Sequence, residues 1–173
     1  MTPTPGLPHA DRLGAELAAL LRGRNAHLDA EAILAGIPVD RVNDRPPGAP
    51  HSLWELLEHL RFTQADILEF CQPAAPASGA PEAGYAEKRW PDDYWPRREG
   101  TAADWTVALG AFLRDRDALV ALALDPEADL LDEFDHAPGY TLARELMLAA
   151  DHNSHHLGQV ILLRRQLGLW PPG

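Results

Sequence analysis

The chain has 173 residues, 46% hydrophobic and 24% charged, a length and make-up that suit one globular domain with a real core. Its 15 Lys and Arg stand against 26 Asp and Glu, a formal net charge of −11, so on average it repels a polyanion and nucleic-acid binding is disfavoured. No apolar run nears the roughly 18 residues that cross a bilayer, residues 1–10 lack the basic and apolar regions of a signal peptide, and Cys71 as the only cysteine excludes an internal disulfide; these predict no membrane partner and a reducing, cytoplasmic location.

One domain over residues 1–173 is expected, with the Pro-rich residues 1–10 as a flexible N-terminal extension. Asp11 to Arg22 then carries Leu13, Leu17, Leu20 and Leu21 at helical spacing, weakened at the end by Gly23. Asp29 is a cap for a short piece, Ala30 to Ala35, stopped by Gly36 and Pro38. Asp44 to Pro50 is a loop. Ser52 and Glu55 form a capping box, opening a long helix with Leu53, Leu56, Leu57, Leu60, Gln64 and Ile67 in register through about Cys71. The 73–100 link follows: an Ala/Pro/Gly-rich stretch to Gly84, then Tyr85 to Gly100 with Tyr94-Trp95-Pro96. Links of this length tend to be functional or to pack over a surface. Thr101 with Asp104 opens the next helix, with Trp105, Ala108, Leu109, Phe112, Leu119 and Leu122 on one stripe and Pro126 at its end. Asp132 to Tyr140 is turn-rich. Thr141 caps the last helix, which carries Leu142, Leu146, Ala149, His156, Val160, Leu163 and Leu167 and is stopped by Gly168 and Pro171. Four helices long enough to bundle, with no strand pattern and no repeat, predict an all-α fold. The pairs Arg97–Arg98 and Arg164–Arg165 read as solvated faces rather than basic patches.

Among eight histidines, His152, His155 and His156 crowd together on the last helix. Residues four apart lie only about 40° apart around a helix and about 6 Å along it, so His152 and His156 can aim two imidazoles at one point. His155 is about 60° from His152 and about 100° from His156, and does not easily join both. A catalytic zinc-type centre takes three protein ligands and keeps a position open. His59, inside the second long helix, is the candidate third. Burying three imidazoles without a shared partner costs on the order of 1–3 kcal/mol for each unsatisfied group, which a metal removes. Hydrogen-bonded core histidines are the competing reading.

Other constructions fit less well. A zincin requires Glu where Asn153 stands. A carboxylate-bridged di-iron bundle requires Glu-x-x-His on two helices, and the single match, Glu133 with His136, lies in a link. Cys71, at a helix end, reads as an inert thiol. His9, His27 and His51 read as solvated. Trp54, Phe62 and Trp95 are core aromatics by default, or walls of a pocket.

The segments His51–His59 (HSLWELLEH) and Asp151–Arg165 (DHNSHHLGQVILLRR), with Leu167–Pro171 (LGLWP) after them, resemble the DinB-like (DinB/YfiT-like) superfamily of metalloenzymes; the resemblance runs from about Asp11 to Pro172. It implies an up-down-down-up four-helix bundle, often a homodimer, with metal held by His59, His152 and His156. His155 stands where relatives often have Tyr, leaving a variable fourth ligand or a supporting contact open. By the same resemblance the metal is Zn²⁺ or Ni²⁺, acting on a small-molecule substrate through an activated thiol or water, as a thiol S-transferase (with bacillithiol or mycothiol as co-substrate) or a hydrolase in stress response or detoxification. Gln159 and Asp151 read first as plain surface or helix-packing residues, with orienting the ligands from behind as the other reading. The alternative is a non-enzymatic stress-response or binding module in which the metal is structural, with His155 or His136 as a fourth ligand, or absent.

Overall fold

The structure is a computed structural model that describes residues 9–23, 25–72 and 85–171. Among these, the helices are α1 (His9–Arg22), α2 (Ala30–Leu34), α3 (Leu53–Cys71), α4 (Ala102–Ala123) and α5 (Leu142–Gln166). The expected N-terminal extension falls outside the described residues up to position 8, and the helix already runs at His9. The Ala/Pro/Gly-rich part of the link likewise lies outside them.

Local chemistry sets the helix starts. Asp29 accepts from the Ala32 N–H at 2.9 Å. Ser52 and Glu55 close a reciprocal capping box at α3, and Thr101 and Asp104 close another at α4. Thr141 caps α5 by accepting from the Arg144 N–H. Gly23 ends α1 at φ 72°, in the left-handed region that side chains avoid.

Contacts between helices give their directions. Trp54, near the start of α3, donates to the Arg98 carbonyl just before α4, and Gln64 further along donates to the Phe112 carbonyl within α4, so α3 and α4 run parallel. Leu56 shares a cleft with Leu163, while Gln64 meets Asn153, so α5 runs antiparallel to α3. Gly14 abuts Ala123 while Leu20 and Leu21 lie beside Phe112 and Arg116, so α1 runs antiparallel to α4. The bundle is up-down-down-up, as expected.

Two apolar clusters fill it. One gathers Ile33, Leu57, Leu60, Phe112, Leu157 and Val160 from α2 to α5. The other gathers Leu17, Leu21, Ile67, Leu119, Leu146 and Ala149 from α1, α3, α4 and α5. Where they meet, Asn153 donates to Gln64 at 2.7 Å and Gln64 to the Phe112 carbonyl at 2.5 Å, a buried polar layer across three helices.

Two expectations are corrected. The link before α5 holds a short antiparallel hairpin, β1 (Glu133–Phe134) with β2 (Ala137–Thr141), too brief and too exposed to show an alternating pattern. Arg164 is not on a solvated face. It is fully buried, with Nε donating to the Leu169 carbonyl and Nη1 to the Ile33 carbonyl. Its guanidinium satisfies carbonyls at the end of α2 and in the turn after α5.

The tight contact of α1 with the end of α4 allows a direct test. A Cβ on Gly14 would sit 2.2 Å from the Ala123 carbonyl oxygen, a backbone atom that no rotamer change relieves. Gly14→Ala is expected to cost about 1–3 kcal/mol, as overpacking does. Thermal unfolding will show a melting point several degrees lower; an unchanged one would mean that α1 moves away freely.

Candidate metal centre

His59, His152 and His156 come together between α3 and α5, with their ligand nitrogens within 4.8 Å of one another. The Nε2 atoms of His59 and His152 are 3.1 Å apart. Two nitrogens bound tetrahedrally at about 2.0–2.1 Å lie roughly 3.3 Å apart, so this spacing suits one ion. His59 is fully buried, while the two α5 histidines are half-buried.

Hydrogen bonds fix which nitrogen two of the rings offer. His59 Nδ1 is 2.8 Å from the Tyr94 carbonyl. A carbonyl only accepts, so Nδ1 carries the proton and Nε2 presents its lone pair to the cluster. His156 Nδ1 likewise donates to Gln159 Oε1 at 2.8 Å, and Gln159 Nε2 donates to His155 Nε2 at 3.1 Å. Burial pushes all three rings away from the charged form, and nearby imidazoles add to the effect: His51 on His59, His156 and His59 on His152, and His59 and His155 on His156. The His152 pKa falls to about 3 and that of His156 to about 4. Neutral imidazole is the form that ligates a cation, and the donor set fits a divalent metal ion.

The link packs over the trio. Trp95 stacks on His59 with ring centroids 3.9 Å apart and planes 2° apart, and His51 stacks on the other face of Trp95 at 3.9 Å. His51, expected to be solvated, is therefore part of the site's wall. Tyr94, buried, donates its hydroxyl to Asp66 at 2.5 Å, and that carboxylate raises the Tyr94 pKa in addition to burial. A cleft of about 520 Å³ lined by Asp66, Phe70, Tyr85, Trp90 and Arg144 opens beside Tyr94. A smaller one of about 220 Å³, lined by Pro50, His51, Leu56 and Gln159, lies on the His156 side.

The remaining candidates divide. Gln159 lies against His156. His155 is exposed and turns to Gln159. Asp151 is exposed and lines a surface cleft with Leu20, Gly23 and Ser154, on the α1 side of α5. His136 packs on Phe70 in the hairpin link, away from the trio. Trp54 and Phe62 line a cleft of about 560 Å³ between α3 and α4. Cys71 ends α3 half-buried against the second apolar cluster, and burial, helped by Glu145, pushes its thiol up to about 12. Missed from sequence were Asp66 and the Tyr94 carbonyl. Asp66 follows His59 by two helical turns, a spacing that puts both on one face of α3.

Together the fold and the cluster define a class, an up-down-down-up helical bundle with a three-histidine site between its second and fourth long helices. The chain belongs to the DinB superfamily, whose family profile matches residues 13–160. Comparison with curated proteins and with solved structures gives no match.

Proposed function

We propose that this protein is a metal-dependent enzyme, a low-molecular-weight-thiol S-transferase or a hydrolase acting in stress response or detoxification. The observation that carries the reading is the convergence of three neutral imidazoles, two with the far nitrogen tied to an acceptor so that Nε2 faces the cluster. A divalent ion held by His59, His152 and His156, Zn²⁺ or Ni²⁺, would supply Lewis-acid activation of a thiol or water. The Tyr94 carbonyl and Gln159 amide orient the rings, as partners behind ligands do. The cleft beside Tyr94 receives the body of a small-molecule substrate, and Trp95 shields one face of the cluster. Family kinship supports bacillithiol or mycothiol as the co-substrate and a homodimer as the assembly; the single cysteine supports a cytoplasmic location.

A structural site normally closes with four protein ligands. Among the described residues only the three histidines gather, with His155 engaged by Gln159 and His136 by Phe70. That favours an open, reactive site over a purely structural one. Elemental analysis of tag-free protein after incubation with Zn²⁺ or Ni²⁺ is expected to give about one ion per chain, as one three-ligand site holds. A value below about 0.2 would overturn the metal reading. With the ion confirmed, thiols paired with a panel of electrophiles and a panel of esters and amides separate transferase from hydrolase; no turnover on either panel would point to a binding module.

A further inference from the structure

We propose that Asp66 is a positioning residue for the metal centre, acting on His59 through the link rather than by touching it. The proposal rests on the metal reading above and deepens it. The Asp66 carboxylate is buried and gathers three donors from the link: the Tyr94 hydroxyl at 2.5 Å, the Tyr85 hydroxyl at 2.9 Å and the Lys88 ammonium at 2.6 Å. Lys88 also reaches Glu69 at 2.9 Å, one turn along α3. The same short segment carries the Tyr94 carbonyl that takes the His59 Nδ1 proton and the Trp95 ring that lies flat on His59. One carboxylate on α3 thus pins the residues that choose the tautomer and plane of a ligand on the same helix.

The link has no regular hydrogen-bonded structure between Tyr85 and Trp95 apart from turns, so its side-chain anchors set its position. Asp66 is the anchor where they converge. A carboxylate accepts from all three donors at once through its two oxygens; an amide in its place keeps one acceptor oxygen and turns its NH₂ toward the donors of the other. Asp66→Asn therefore keeps the shape of the side chain and removes the clasp.

The test uses the full chain, tag-free. Nitrogen-15 spectra of the histidine rings in metal-free protein report the His59 tautomer, and competition with a chromophoric chelator reports Zn²⁺ affinity. Wild-type protein is expected to show His59 as the Nδ1–H tautomer. Asp66→Asn is expected to show a mixture of tautomers and a loss of Zn²⁺ affinity of about ten- to a hundredfold, the range for groups that orient metal ligands. Tyr94→Phe, which removes one hydroxyl and leaves the backbone carbonyl, is expected to move both readouts in the same direction but less, and the double variant to match Asp66→Asn alone. An unaltered His59 tautomer with affinity within twofold of wild type would overturn the proposal. If Asp66→Asn does not fold, Tyr94→Phe with both readouts at wild-type values overturns it equally. If wild-type protein takes up no Zn²⁺, the metal reading falls, while an unchanged tautomer in the variants still overturns the role of Asp66 and a changed one supports it.

Discussion

His152→Ala is expected to abolish tight metal uptake while leaving the bundle folded, and His59→Ala to lose both metal and stability. Structural zinc sites bind with about 10–16 kcal/mol shared among four ligands, so each ligand carries about 2.5–4 kcal/mol, a factor of roughly seventy to eight hundred in affinity. Truncating either residue removes one of three Nε2 donors and brings that loss. The stability effects differ because the surroundings differ. His152 is half-buried, and its hydrogen bond is to His59 itself. His59 is fully buried, holds the Tyr94 carbonyl and supports Trp95. Its removal orphans a carbonyl, at about 1–3 kcal/mol, and opens a cavity under the tryptophan. Chelator competition and thermal unfolding of metal-free protein separate the two effects. His152→Ala binding Zn²⁺ within threefold of wild type would remove it from the ligand set.

Metal-free protein is expected to lose stability steadily as pH falls from about 6.5 to about 5.5, largely above the range where its carboxylates titrate. The sign follows from the direction of the shifts. Burial, with added repulsion from nearby imidazoles (His51 in the case of His59), holds the folded pKa values of His59, His152 and His156 below the ordinary histidine value. Below that value the unfolded chain therefore binds more protons, so stability is fully present above about pH 6.5 and drains as pH falls toward the folded values. The slope reaches about 1.4 kcal/mol per pH unit for each extra proton the unfolded state takes up. Carboxylates whose folded pKa is depressed, Glu31 by Arg116 and Asp104 by Arg98 and Thr101, add to the loss from about their unfolded values, near pH 4–4.5, downward. Melting points of chelator-treated protein across this window, compared with a His152→Gln/His156→Gln variant, are the measurement. The variant is expected to be flatter with pH; equal slopes would place the acid sensitivity elsewhere.

What could be read from the sequence was what depends on near neighbours. The capping pairs Ser52–Glu55 and Thr101–Asp104 act within one turn, and both boxes form where the residues place them. The four-residue spacing of His152 and His156 fixes their common face, and His59 was found because no other histidine lies in its helix. Contacts across the link were not legible, since nothing periodic connects Asp66 with Tyr94, 28 positions away, or sets Trp95 between His51 and His59. His51 was misread for that reason, its partner lying in a segment with no pattern. Arg164 was misread because charge alone suggests solvent, whereas the carbonyls at two helix ends make a buried host for a guanidinium. Asp151 shares its helix with the ligands but lies beside Leu20 and Ser154, which adjacency in sequence does not distinguish from a place behind a ligand.

The thiol of Cys71, raised to about 12, has a consequence for a protein that would handle electrophiles. Only the thiolate attacks carbon, and at pH 7 roughly one Cys71 in 10⁵ is ionised. The chain therefore brings no sulfur nucleophile of its own to compete with an added thiol, and it resists alkylation by the compounds it would detoxify. Under the proposed function, alkylation of its one cysteine is disfavoured by where that cysteine is packed.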